Sequence, residues 1–291
     1  MYTTPVYTVI LFYKFVRIDD PAALRDAMRS LAETHGLTGR MLIAHEGVNA
    51  TFEGTTESIE RYKAELRKNP LFSDIVFKES ASAGNSFPKL QIKVREEIVT
   101  LGAGEFDVAR ETAPAISAEE LERMYEADED FVVLDLRNDY ETAVGKFEKT
   151  FDPGLALFRD LPKKMDTIAH LKNKKVVAVC TGGIRCEKAT CLLKKEGFEN
   201  VVQLQDGIHT YMQKFPKRHF KGSLFVFDNR MVTPVVETDY AVEGKCEFCG
   251  TTTETFYNDD RVRPSLKVIC CDACAPAHSY LRPGVNSVVG A

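Results

Sequence analysis

Four consecutive apolar residues, Val176-Val177-Ala178-Val179, run into Cys180 and a loop, Thr181-Gly182-Gly183-Ile184-Arg185, before a helical stretch opens at about Cys186. A run without polar alternation is buried on both faces, as in a strand inside a parallel sheet. Residues 131–134, which lead into Asp135, and residues 201–204 are runs of the same kind, and helical stretches such as 186–196 separate them. Ser117 with Glu120 three residues on is a capping box that opens a helix reaching Tyr125. Strands alternating with helices predict a parallel α/β sheet. Ligands of such sheets bind outside the carboxyl ends of the strands, where Cys180 is placed.

That placement makes Cys180 a candidate nucleophile or redox centre. Loop amides and the positive end of the following helix lower a thiol pKa, and Gly182 and Gly183 let the backbone curl around the sulfur. Arg185 adds positive charge, either to the thiolate or to a bound phosphate, unless it is a salt bridge that fixes the loop. Thr181 is a candidate hydrogen-bond donor to the sulfur. Cys186, at the helix start, is a candidate partner or resolving thiol, whereas Cys191 beside Leu192 and Leu193 reads as core. The plainer alternative is a buried free cysteine at a strand end.

The rest of the chain divides around this unit. At 291 residues it exceeds the usual size of a single core. Residues 6–13, 40–44, 48–53, 75–78 and 90–94 have strand character, with helical stretches after Pro21 and over 58–68. The resulting β-α-β-β-α-β order predicts a ferredoxin-like α+β sandwich. His45-Glu46-Gly47-Val48-Asn49 falls between two of these strands and reads first as a turn. Residues 102–114 read as a linker. The expected domains are 1–104, ferredoxin-like; 115–222, parallel α/β; and 223–291, small and Cys-rich.

All eight cysteines lie at or beyond Cys180. The N-terminal apolar stretch lacks the basic flank and small-residue site of a signal peptide, and no run approaches the roughly 20 apolar residues that span a membrane. A reducing cytoplasm is the expected compartment, where clustered cysteines indicate metal or catalysis rather than disulfides. Cys246-x2-Cys249 and Cys271-x2-Cys274, 21 residues apart, have the spacing of a structural zinc site. Cys270 could replace Cys271 as a ligand, and His278 is a weaker candidate. No nucleotide-cofactor motif is present.

The net charge of −5 argues against broad nucleic-acid binding. One local strip is basic: Lys214, Lys217, Arg218, His219 and Lys221, interleaved with Phe215 and Phe220. It reads either as a solvated connection or as a surface for RNA phosphates and a stacked base, which Lys188, Lys194 and Lys195 could extend.

Cys180-x-x-Gly183-x-Arg185 between a strand and a helix resembles the active loop of rhodanese domains, whose first cysteine carries a persulfide. Leu134-Asp135-Leu136-Arg137-Asn138 with Glu141 and Gly145, and Leu204-Gln205-Asp206-Gly207-Ile208, resemble two further elements of that family. Asp206 stands where glycine is usual, and Lys149-Thr150 where Gly-Ala is usual. Phosphatases built on a similar loop use Cys-x5-Arg; here four residues intervene, too few for that geometry. Asp135, Arg137 and Glu141 are expected to brace the loop.

The longer string Cys180-Thr-Gly-Gly-Ile-Arg-Cys186-Glu-Lys-Ala189 resembles one subfamily, the tRNA uridine-34 hydroxylases. Residues 39–49, Arg137-Asn138-Asp139-Tyr140-Glu141 and Phe225-Val226-Phe227-Asp228-Asn229-Arg230 resemble it too. The resemblance implies oxygen-dependent formation of 5-hydroxyuridine at the wobble position, with the tRNA anticodon loop as substrate, molecular oxygen as co-substrate and a sulfur or electron donor. It implies catalysis by Cys180, Arg185 and Cys186, with substrate contacts from Thr181, Gly182, Gly183, Ile184, Lys188, Lys214, Lys217, Arg218 and Lys221. The rival expectations are a sulfurtransferase working through a Cys180 persulfide, and a zinc-ribbon adaptor that only recognises a partner.

Overall fold

The computed structural model describes residues 6–233, 235, 240–262 and 266–284, so the outer ends of the first and last expected domains lie outside the described residues. The chain forms two compact units, Met1–Val99 and Thr100–Ala291.

The first unit follows the predicted order. Strand β1 (Tyr7–Phe15) leads to helix α1 (Pro21–Thr34), which starts where the Asp20 side chain accepts from the amides of Ala22 and Ala23. Strands β2 (Thr38–Ala44) and β3 (Gly47–Thr55) form a hairpin, followed by α2 (Thr56–Leu66), β4 (Lys78–Ser82) and β5 (Leu90–Val94). The sheet order is β4-β1-β3-β2-β5, antiparallel except for the β2–β5 pair. Helices α1 and α2 cover a core of Ile10, Phe12, Met41, Ile43, Phe52 and Tyr62.

Two details differ from expectation. The strand expected at 75–78 lies at Lys78–Ser82, and Ile75 instead plugs the core from the preceding turn. Strand β4 is an edge strand paired only with β1, and edges favour polar residues, so the apolar signal fell before it. The strand expected at 90–94 is present at the same bounds and pairs with β2, so the unit has five strands where the β-α-β-β-α-β order counts four. Of the 45–49 stretch, His45 and Glu46 make the turn and Gly47–Asn49 already belong to β3: His45 Nδ1 meets Ile18 O at 2.8 Å, Glu46 accepts from the Ile98 amide, and Asn49 donates to Ile98 O.

The second unit opens with α3 (Val108–Glu111), β6 (Ala115–Ile116) and α4 (Ala118–Glu126), capped by Ser117 as expected. Next come β7 (Val132–Asp135), α5 (Asp139–Thr142), β8 (Gly145–Phe147) and β9 (Thr150–Phe151). A 3-10 helix (Phe158–Lys164) and α6 (Met165–Ile168) lead to β10 (Val176–Val179), α7 (Ile184–Lys195), β11 (Val201–Leu204) and α8 (Gly207–Lys214). The sheet order is β6-β11-β10-β7-β9, and every pairing in it is parallel. Strand β10 is central and buried at all four residues, which explains its unbroken apolar run.

The stretch expected to be a linker is docked. Val108 is buried, the Ala113 amide donates to Thr190 Oγ1 on α7, and Lys194 donates to the carbonyls of Glu111 and Thr112.

Beyond α8, β12 (Phe220–Gly222) pairs with β8, and β13 (Leu224–Phe225) pairs with β14 (Val232–Thr233). Strands β15 (Phe256–Asp259), β16 (Leu266–Ile269) and β17 (Leu281–Pro283) form a three-stranded sheet. Phe225 and Phe256 share a small core with Val144, so the last residues are built onto the α/β unit. No helix among the described residues is long and apolar enough to cross a membrane.

Candidate active site

Strand β10 delivers Cys180 to the carboxyl edge of the sheet, between the ends of β7 and β11. The next turn depends on Gly183, whose φ of 99° suits glycine and caps α7. Helix α7 begins at Ile184, two residues earlier than expected, which puts Arg185 and Cys186 in its first turn.

The Gly183 amide donates to Cys180 Sγ at 3.1 Å. Burial pushes the Cys180 thiol up, but the Cys186 thiol, the Arg185 charge and the amides of Cys186 and Arg185 outweigh it and bring the pKa down to about 5. Cys186 shifts the other way, well above an ordinary thiol, through burial and through donating to Cys180. At neutral pH the site therefore holds one thiolate and one thiol, both fully buried. Cys191 is different: its thiol donates to Glu187 O, and burial raises it to about 11.

A second layer holds the loop from below. Ile208 and His209, in the first turn of α8, donate to the carbonyls of Cys180 and Thr181 at 3.0 and 3.1 Å. Gly207 permits this approach, because a Cβ there would lie 2.7 Å from both carbonyl oxygens.

Buried ion pairs brace the loop from the side. Arg185 places its terminal nitrogens on the two oxygens of Glu141, at 2.5 and 2.9 Å. Glu141 also accepts from the Asn138 amide and from Thr181 Oγ1. Burial opposes ionisation of Glu141, but Arg185 prevails and holds its pKa below the usual carboxylate value. Arg137 pairs with Asp135 and donates to the carbonyls of Glu141 and Gly145, as the expected brace requires. Phe227, from the Phe225-to-Arg230 motif, lies under the Arg185 guanidinium at 5.7 Å.

Several site residues sit elsewhere than sequence reasoning put them. Thr181 donates to Glu141 at 3.1 Å rather than to the sulfur. Arg185 makes the salt bridge that is one of its two expected roles, with both terminal nitrogens on Glu141 and its charge near the sulfur. Gly182 is buried and Ile184 half-buried in the loop. Lys188 does not extend a basic surface: it is 1% exposed, because this face of α7 packs into the unit.

The basic strip is largely neutralised by acids on α4 and by Glu148. Lys214 meets Glu119 at 2.7 Å, Arg218 meets Glu122 and Glu126, and Lys221 and His219 share Glu148. Lys195 meets Glu111. Lys217, exposed and without an acidic partner among the described residues, is the exception in the strip.

Sequence reasoning missed a different basic surface. Strand β9 is parallel to β10, so the chain leaving it emerges at the Cys180 edge and forms the 3-10 helix Phe158–Lys164, which packs against α7. In that 3-10 helix Arg159 is exposed and Lys164 half-exposed, neither with an acidic partner among the described residues, and Lys163 lies 3.8 Å from Asp160. The signal was available: residues 155–175 carry six Lys or Arg against two Asp in a chain of net −5.

The second cysteine cluster comes together as the spacing predicted. The sulfurs of Cys246, Cys249, Cys271 and Cys274 all lie within 4.8 Å of one another, with Cys249 and Cys271 at 3.6 Å. A tetrahedral ion with bonds of about 2.3 Å holds its sulfurs about 3.8 Å apart, so the cluster could hold such a metal. The structure selects Cys271 over Cys270, whose Sγ turns to the Cys271 carbonyl. His278 stacks on Phe248 instead of joining the cluster.

Comparison with known proteins agrees with this architecture. Residues 7–98 match the family description of a UPF0176 acylphosphatase like domain, 117–214 that of a rhodanese-like domain, and 221–281 that of a rhodanase C-terminal region. The chain is 38% identical over 280 residues to a tRNA uridine(34) hydroxylase of Onion yellows phytoplasma, covering 94% of this chain and 90% of the relative. It is 39% identical over 283 residues to a protein of the same name from Bacillus licheniformis, covering 95% and 86%. A third, from Cytophaga hutchinsonii, is 36% identical over 268 residues, covering 92% and 86%.

Proposed function

Because the chain belongs to the family of the tRNA uridine(34) hydroxylases, we propose that it converts uridine 34 of tRNA to 5-hydroxyuridine at the Cys180 loop, with dioxygen as co-substrate. The observation that carries the assignment of the site is the Cys180 sulfur, held as a thiolate by the Gly183 amide, the first turn of α7 and Cys186. An electron-rich sulfur is a nucleophile suited to the electron-poor uracil ring. Wobble bases lie in an exposed single-stranded loop, so no duplex has to open for one to reach the site.

In this reading Arg185 and Glu141 position the loop rather than touch substrate. Arg159 and Lys164, with Lys217, hold the phosphates of the anticodon loop, while Lys214, Arg218 and Lys221 contribute little because acids already pair them. The four C-terminal cysteines hold a structural zinc ion, whose chemistry is to tie together a segment poor in apolar residues. Residues 115–222 carry the chemistry, residues 223–291 the metal, and residues 1–104 form a separate module.

A sulfurtransferase reading rests on the rhodanese-like match over residues 117–214, since a Cys180 persulfide needs the same nest of amides. One experiment separates the two. Nucleoside mass analysis of tRNA from a strain lacking the protein shows 5-hydroxyuridine restored by the wild type and absent with Cys180→Ala. Thiocyanate formation from thiosulfate and cyanide, without any change in tRNA nucleosides, would sink the hydroxylase reading in favour of sulfur transfer.

A further inference from the structure

The hydroxylation leaves two electrons unaccounted for, and the loop contains a second buried thiol beside the reactive one. Cys186 is fully buried in the first turn of α7, and its amide donates to Gly183 O at 3.0 Å while its thiol donates to Cys180 Sγ. Only five residues separate the two cysteines. A thiol buried against the reactive sulfur is the arrangement of an attacking cysteine and its resolving partner.

We propose that Cys186 is the resolving thiol of the reaction: each hydroxylation ends with a Cys180–Cys186 disulfide, which an external dithiol must reduce before the next turnover. The inference rests on the hydroxylase reading above. One oxygen atom enters the C5–H bond of uracil and the other goes to Cys180, so that uracil, dioxygen and the Cys180 thiol give 5-hydroxyuracil and a Cys180 sulfenic acid. The Cys186 sulfur then attacks the Cys180 sulfur: the S–S bond forms, the S–O bond breaks, and the hydroxyl leaves as water with the Cys186 proton. Dithiol exchange returns both thiols and carries the two electrons that took the second oxygen to water.

The chemistry also explains the burial. A sulfenic acid shielded from solvent and next to a thiol is captured before further oxidation can destroy it. Cys191, further along α7 and hydrogen-bonded to Glu187 O, is held away from the sulfur of Cys180 and serves as an internal control.

The test uses the whole, reduced protein with a tRNA transcript and oxygen but no added reductant. The wild type is expected to make one 5-hydroxyuridine per chain and stop, with peptide mass analysis finding Cys180 joined to Cys186 and Cys191 still a thiol. Dithiothreitol should restart it. Cys186→Ser, which keeps a donor to the Cys180 sulfur, is expected to complete the first turnover, lose later ones, and leave a Cys180 sulfenic acid that dimedone labels; Cys186→Ala, which lacks that donor, should reach the same labelled acid after a slower first turnover and likewise fail to cycle. Continued turnover without reductant, product formed with both thiols free, or a Cys186→Ser protein cycling like the wild type would each overturn the proposal. If the wild type makes no 5-hydroxyuridine even with dithiothreitol present, the hydroxylase reading falls first and the disulfide with it.

Discussion

Glu141 and Arg185, 44 residues apart in sequence, meet through two hydrogen bonds beneath the Cys180 loop, the carboxylate fully buried and the guanidinium nearly so. Glu141 belongs to the short α5 after β7, and Arg185 to the first turn of α7 after β10, so the pair ties together the carboxyl ends of two neighbouring strands. Removing one partner leaves the other charge buried and alone. Glu141→Gln should therefore lower stability by about 3–5 kcal/mol, measured by urea unfolding. The double variant Glu141→Leu with Arg185→Met should recover much of that loss, because the desolvation cost disappears along with the attraction. A Glu141→Gln protein as stable as the wild type would mean the pair does not brace the loop.

The same loop sets a pH dependence. The folded Cys180 pKa of about 5 lies below the value of about 8.5 for a free thiol. A depressed acid adds stability that is complete above the unfolded pKa and is lost as pH falls through the folded one. Cys180 thus contributes to stability fully above about pH 8.5, and the contribution fades down to about pH 5. Thiolate absorbance, taken as the difference between wild type and Cys180→Ser, should titrate with a midpoint near the lower value. A midpoint near that of free cysteine would remove the electrostatic basis of the site.

Much of this was legible in the sequence, and what was missed has identifiable causes. The unbroken apolar run before Cys180 located the central strand because burial on both faces leaves no room for polar alternation. The start of α7 was placed two residues late because its cap is a glycine with no side-chain signal. Asp206 and Lys149, which stand where the rhodanese resemblance expects glycine, adopt φ of 61° and 58°, the left-handed region that favours glycine. The basic strip misled because its neutralising acids, Glu119, Glu122 and Glu126, lie some 90 residues away on α4, and such pairing has no local signature.

Gly207 tests the packing under the loop. Gly197 also has positive φ, 88°, but a Cβ there would have nothing within 4 Å, whereas at Gly207, with φ 72°, it would face two carbonyls at 2.7 Å. Gly197→Ala should cost about 1–2 kcal/mol from backbone strain alone. Gly207→Ala should cost roughly 1–3 kcal/mol more, because the Cys180 and Thr181 carbonyls have to move. Thermal unfolding of the two variants gives the difference directly, and equal losses would show that the loop tolerates the intrusion.

The cysteine register at the C-terminal cluster makes a clean prediction about metal. Wild-type protein should bind one zinc ion per chain by elemental analysis, Cys249→Ser or Cys271→Ser should lose it, and Cys270→Ser should keep it, since Cys270 is not one of the four clustered sulfurs and its Sγ meets the Cys271 carbonyl. Chelation should lower the melting temperature of the wild type and of Cys270→Ser but leave the Cys249→Ser protein unchanged. Metal retained by Cys271→Ser would reverse the assignment within the Cys270/Cys271 pair.

Salt dependence of tRNA binding discriminates between the two basic surfaces. A cation that contacts a phosphate of single-stranded RNA releases a counterion, so its loss should flatten the plot of log affinity against log salt by about 0.7. Arg159→Ala and Lys164→Ala should each do so, because these side chains belong to the 3-10 helix that packs against α7 and have no acid to hold them among the described residues. Lys214→Ala should leave the slope where it was, because Glu119 already neutralises that charge at 2.7 Å. A larger change for Lys214→Ala than for Arg159→Ala would place the RNA on the α4–α8 face instead, and would require Glu119 to release its partner on binding.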